Sequence, residues 1–94
     1  LSKYWGAGAA DGASIEDSFN ISSLVDNNTG VQHWYYTNLM DSTNYVAFNA
    51  STAGGAYADT IWNEKFTTYQ NVGFHDDSAY RDNRSNVGGF GDLA

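Results

Sequence analysis

His75, Asp76 and Asp77, with Asp82 close behind, form the densest group of hard ligands in this chain. Oxygen-rich loops of this kind bind Ca²⁺ or Mg²⁺. The regular alternation and the glycine of an EF-hand loop are missing, however, and Arg81 and Arg84 stand beside the acids. The group therefore reads as a polar strand end, and no metal is expected. Glu16, Asp17, Glu64, Asp76 and Asp77 contain the carboxylates that a glycosidase needs. Adjacent residues on a strand face opposite ways, though, and nothing in the spacing joins any pair. No serine lies in a nucleophile elbow, and neither His33 nor His75 shows a partner that would make it the base of a nucleophile. The run Gly6-Ala7-Gly8-Ala9-Ala10-Asp11-Gly12 has the wrong spacing for a dinucleotide-binding turn, and no helical pattern follows it. It reads as a flexible connection between strands. No catalytic residue and no cofactor is expected, so the chain is not read as an enzyme.

Binding chemistry is what remains. The second half is dense in aromatic and amide side chains: Tyr57, Trp62, Asn63, Phe66, Tyr69, Asn71, Phe74, His75, Tyr80 and Asn83. Aromatic faces stack on the C–H faces of sugar rings, and amides hydrogen-bond to hydroxyls. Rigid amphipathic side chains also offer contact area at low entropic cost. Phe66, Phe74 and Trp62 are expected in the core. Tyr57, Tyr69, His75, Tyr80 and Asn83, nearer loops or strand ends, are the candidates for contact with a receptor.

The elements that must position these residues are strands. No long segment has apolar residues at helical spacing with a cap. Phe19 and Ile21 alternate with polar neighbours, the period of a half-buried strand. Val31-Gln32-His33-Trp34-Tyr35-Tyr36-Thr37 is rich in the aromatic and β-branched types that fit a pleated surface. Between them, Asp26-Asn27-Asn28-Thr29-Gly30 supplies turn residues, so a hairpin with a longer loop is expected. Strands are expected at 3–6, 15–24, 31–38, 44–50, 58–63, 66–70 and 71–80, with turn clusters at 9–13, 26–30, 51–55 and 82–89. Short strands with frequent turns imply an all-β fold, a small antiparallel β-sandwich of about six to eight strands. The glycine-rich end, residues 88–94, reads as a mobile tail or as one that Phe90 and Leu93 pin to a neighbour.

Composition narrows the partners. Ninety-four residues make one domain with a thin core, and no cysteine is present to staple it. Four basic side chains stand against eleven acids, for a net charge of −7. That is the opposite of a nucleic-acid footprint, so no nucleic acid is expected. No apolar run approaches a membrane span, and no membrane insertion is expected. The chain begins at Leu1 rather than Met, and is read as cut from a longer protein.

The stretch from Asp17 to Tyr45 carries a more specific pattern: D-S-F-N-I-S-S-L, then D-N-N-T-G, then a strand, then T-N-L-M and N-Y. It resembles a small β domain found at the C-terminal ends of bacteriophage tail-fibre proteins. Asp17, Ser18, Phe19, Asn20, Ser22, Ser23, Asp26, Asn27, Thr29, Gly30, Thr37, Met40, Asn44 and Tyr45 match that pattern. The resemblance covers roughly the first half of the chain. It implies a receptor-binding tip domain at the distal end of a virion fibre, assembled as a homotrimer. Its partner would be a host cell-surface glycan or an outer-membrane protein. A purely structural trimerisation or capping domain, and a carbohydrate-binding module of a larger enzyme, are the alternatives.

The resemblance also implies strand parity. The positions of Gln32, Trp34 and Tyr36 carry its inward-facing apolar residues, and Gln32 departs from that pattern. Its departure places the start of the strand near an edge or interface. Val31, His33 and Tyr35 then occupy the opposite face. Three such residues on a solvated face require a covering sheet, a subunit interface or a ligand. Val31, His33 and Tyr35 are accordingly the subunit-interface candidates.

Overall fold

The computed structural model describes residues 1–9, 13–51, 60–75 and 85–94. The side chains of residues 51, 60–62 and 75 lie outside that description. Eight strands form: β1 Tyr4–Gly8, β2 Ile15–Phe19, β3 Ile21–Asn28, β4 Val31–Tyr36, β5 Val46–Ser51, β6 Thr60–Lys65, β7 Tyr69–His75 and β8 Ser85–Phe90. They pair into two antiparallel sheets of four, β2-β1-β8-β5 (sheet A) and β3-β4-β7-β6 (sheet B). The small antiparallel β-sandwich expected from the sequence is therefore the fold.

The expected strand 15–24 is two strands on two different sheets. Asn20 adopts φ 59°, a left-handed conformation that asparagine tolerates better than most residues. Its amide holds the corner by donating to the carbonyls of Lys3 (3.1 Å) and Asn38 (3.0 Å). Its Oδ1 accepts from the Asn38 backbone N–H at 2.6 Å. The chain thus turns from sheet A into sheet B, and β2 and β3 end as stacked edges.

The β3–β4 hairpin is tighter than its polar run implied. Pairing continues to Asn28↔Val31, leaving only Thr29 and Gly30 in the loop, with a register shift between Asp26 and Asn28. Gly30 has φ 73°, where a side chain would be strained.

Strand β8 corrects the glycine-rich turn and tail. Ser85–Phe90 is an interior strand of sheet A, paired with β1 on one side and β5 on the other. A Cβ at Gly89 would collide with the Tyr4 ring, so the glycine reports close approach of an aromatic neighbour and not a turn. Beyond β8 the chain is tied to its own fold. Leu93 bridges Met40, and the Asp41 and Ala94 N–H groups donate to the Asp92 and Leu39 carbonyls, each at 2.9 Å. The glycine-rich run near the N-terminus is likewise no loose connection at its start, since Gly6, Ala7 and Gly8 lie within β1. A Cβ at Gly6 would strike the Trp34 ring.

The core between the sheets contains Tyr4, Trp34, Tyr36, Met40, Tyr45, Val72, Phe74 and Val87. Met40 and Tyr45, two of the pattern residues, are thus packing residues. Gln32 is also fully buried, on the central strand β4, which corrects its placement near an edge. Two hydrogen bonds explain why an amide is tolerated there. The Ser85 hydroxyl donates to Gln32 Oε1 at 2.6 Å and accepts from Trp34 Nε1 at 3.1 Å. Of the aromatics expected in the core, Phe74 is fully buried, whereas Phe66 is 37% exposed. Phe66 sits in the turn after β6, where its N–H donates to the Tyr69 carbonyl. Trp62 falls on β6, and its side chain is outside the described set.

Candidate functional site

Sheet A covers one face of sheet B, the face of Trp34, Tyr36 and Val72. The other face, which carries Val31, His33 and Tyr35, has no covering sheet among the described residues. Ladder register decides what gathers there. His33 pairs with Asn71 and Tyr35 with Tyr69 across β4–β7. Glu64 pairs with Asn71 across β6–β7, and Val25 pairs with His33 across β3–β4. Residues opposite one another in a ladder share a face, so Val25, His33, Asn71 and Glu64 form one row and Ser23, Tyr35 and Tyr69 the next.

The rings in these rows pack on each other. Tyr35 and Tyr69 lie 4.9 Å apart between centroids at 34°, and His33 and Tyr69 lie 4.6 Å apart at 30°. Phe66 stacks on Tyr69 from the turn, at 4.5 Å and 16°. Neighbouring strands run about 4.8 Å apart, so rings that stack at this spacing stand upright on the sheet. The row therefore presents ring edges, with Phe66, 37% exposed, at its end. Mutual stacking leaves the side chains little freedom to lose on binding.

Polar groups flank the stack. Asn71 Nδ2 donates to Glu64 Oε1 at 3.0 Å. The carboxylate can only accept, which fixes the orientation of the amide. Asn71 is 9% exposed, and its Oδ1 has no hydrogen-bond partner among the described residues. His33 Nδ1 lies 3.5 Å from the Tyr35 hydroxyl. Partial burial pushes the His33 pKa below its ordinary value, with the Glu64 charge opposing, so the imidazole is neutral at neutral pH. Glu64 itself is exposed and free to accept from ligand hydroxyls. Stacking, hydroxyl exchange and carboxylate acceptance are binding chemistry.

Two groups of sequence candidates thus meet on one surface. Tyr69, expected to contact a receptor, stacks against His33 and Tyr35, expected at a subunit interface. Val31 shares their face farther along β4, opposite Gly73. His75 closes β7 opposite Thr60, with its side chain outside the described set. Tyr57, Tyr80 and Asn83 lie outside the described residues, as do Asp76, Asp77 and Asp82. Sequence reasoning missed Phe66 and Glu64 as members of the row. Their signal was the β6–β7 hairpin, whose register places both beside Tyr69 and Asn71.

A second exposed surface was also missed. The outer face of sheet A carries Trp5, Phe19, Val46, Phe48 and Phe90, each between 40% and 55% exposed.

No family model matches the chain, and no curated protein or solved structure matches it significantly.

Proposed function

We propose that this chain is an attachment domain, the distal receptor-binding part of a phage tail fibre, and that it holds a host surface glycan on the outer face of sheet B. The observation that carries the glycan reading is the stacked row Phe66–Tyr69–Tyr35 with His33 beside it, edged by the Asn71–Glu64 pair. A saccharide offers C–H faces for the Phe66 ring and hydroxyls for Glu64 and the tyrosine hydroxyls. The resemblance over Asp17–Tyr45 supports the fibre context, and the β-sandwich agrees with it. In that setting the working unit is a homotrimer on a virion, and a strongly acidic chain meets an anionic cell surface through short-range contacts. His33 and Tyr35 then belong to the ligand row and not to the contact between copies.

The test is binding of the purified domain to host cells with and without enzymatic glycan removal, and to a glycan array. Tyr69→Ala and Phe66→Ala should each weaken binding about tenfold or more, with the fold retained by circular dichroism. Unchanged binding by both folded variants would overturn the glycan site.

A purely structural trimerisation domain is the second reading, favoured by the apolar outer face of sheet A. It requires a trimer that binds no host cells.

A further inference from the structure

We infer that the outer face of sheet A is where copies of this chain meet, its occupant being a second copy of the chain. This deepens the homo-oligomer of the proposed function by naming its surface, and it stands apart from glycan binding.

Four observations carry it. The first is continuity: Phe19 pairs with Trp5, Trp5 with Gly88, and Gly88 with Phe48, one row crossing all four strands of the sheet. Phe90 and Val46 pair in the next row of the same face, and the Phe90 ring meets Phe48 edge-on at 5.6 Å. The second is area. Five large apolar side chains at 40–55% exposure present roughly 400–500 Å² of apolar surface. A standard interface takes about 800 Å² from each partner, of which roughly 60% is apolar. The face therefore matches what one stable contact requires.

The third is charge. The protein carries −7 overall, yet the paired residues Phe19, Trp5, Gly88, Phe48, Phe90 and Val46 include no ionisable side chain; Lys3 lies just before β1, and Asp17, opposite Ala7, and Glu16 stand at the margin. Two like-charged copies meet with least repulsion on such a face, and charge depletion marks interface cores. The fourth is Gly88. A Cβ there would meet only ordinary contacts, 3.6 Å to the Tyr4 carbonyl oxygen and 3.8 Å to Trp5 Cβ. Its φ is not positive. The monomer thus has no need of glycine at this position, and glycine weakens a strand. The notch it leaves between Trp5 and Phe48 suits a side chain from the facing copy.

The experiment is sedimentation of the full chain over a concentration series, beside Gly88→Thr and Phe48→Glu, with thermal unfolding to verify each fold. The wild type should associate. Each variant should remain folded and raise the dissociation constant about 100-fold, the effect of losing a central interface residue. Gly88→Thr is the safer of the two, since a Cβ at this position meets only ordinary contacts. A wild type that stays monomeric throughout overturns the inference, as does an oligomer that both folded variants leave intact. A monomer whose tryptophan fluorescence shifts on adding soluble glycan, with the shift lost in Trp5→Phe, assigns the face to a ligand and overturns it equally. Loss of association in Phe48→Glu with monovalent glycan binding retained supports both readings. An oligomer that the variants dissociate, without glycan binding, supports this inference alone.

Discussion

The Tyr4 hydroxyl, on sheet A, donates a 2.7 Å hydrogen bond to Gln70 Oε1, on sheet B, in the middle of the core. Gln70 Nε2 then donates to the Phe48 carbonyl at 3.0 Å and to Asn63 Oδ1 at 2.8 Å. One fully buried glutamine thereby ties strands of both sheets and leaves none of its own polar atoms unpaired. Gln70→Leu should destabilise the fold by about 2–4 kcal/mol, because it orphans the Tyr4 hydroxyl and two acceptors. Tyr4→Phe alone should cost about 1–2 kcal/mol. Urea denaturation checks both, and the double variant should cost less than the sum of the singles. Strict additivity would mean that the bond does not couple the sheets.

Asn20 makes the corner between β2 and β3 by conformation and by hydrogen bonding together. Asn20→Ala loses both and should cost about 2–4 kcal/mol. Asn20→Gly recovers the left-handed backbone and should cost about 1 kcal/mol less than alanine. Equal losses for the two variants in thermal unfolding would assign the whole effect to the side-chain amide.

Two adjacent glycines on β8 should respond with opposite signs. Gly88→Ala has room and reduces the freedom of the unfolded chain, so it should stabilise by about 0.5–1 kcal/mol. Gly89→Ala drives a methyl into the Tyr4 ring and should destabilise by about 1–3 kcal/mol. Unfolding of the monomer at low protein concentration separates the two effects from association.

Stability should fall on the alkaline side through three core tyrosines. Burial raises the pKa values of Tyr4, Tyr36 and Tyr45 above their ordinary 10.0. Tyr45 donates to the Phe66 carbonyl at 2.7 Å, so Tyr36 must be the donor in the 2.9 Å bond between the two hydroxyls. Ionising Tyr36 would break that bond. A folded pKa above the unfolded one gives stability that is complete below pH about 10 and is lost as pH rises beyond it. Phenolate absorbance should therefore rise in a cooperative step that coincides with the loss of circular dichroism.

The acid limb has the opposite sign. His33 has a folded pKa below its ordinary 6.5, so the stability linked to it is complete above that pH and falls as pH drops through the folded value. Nuclear magnetic resonance titration should place the His33 midpoint below that of an unfolded histidine. Glu64→Gln removes the opposing charge and should lower the midpoint further. An upward shift would mean that Glu64 does not act on the ring.

Much of the architecture was legible from local pattern. The parity that the resemblance implied for β4, with Trp34 and Tyr36 inward and His33 and Tyr35 outward, is the parity observed, and a strand's fixed period carries it along β4. Strand β8 was not legible, since Gly88 and Gly89 look like turn residues until the Tyr4 ring is seen over one of them. Gln32 looked misplaced because its partner, Ser85, lies far along the chain on the other sheet. The candidate row was half visible: Tyr69 was selected for its type, while Phe66 was assigned to the core and Glu64 went unused.

The all-β class and the period of each clear strand could be read from local pattern. These depend on backbone sterics and on the two-residue repeat, which act between near neighbours. Folding then set which glycines receive a ring, and that Tyr35, Tyr69 and Phe66 stack into one row. Those outcomes depend on sheet order and ladder register, which join residues distant in the chain and leave no mark in local sequence. Asp17 to Tyr45, the stretch with the most specific pattern, proved to hold the corner at Asn20, the tight turn at Gly30 and core contacts of Met40 and Tyr45.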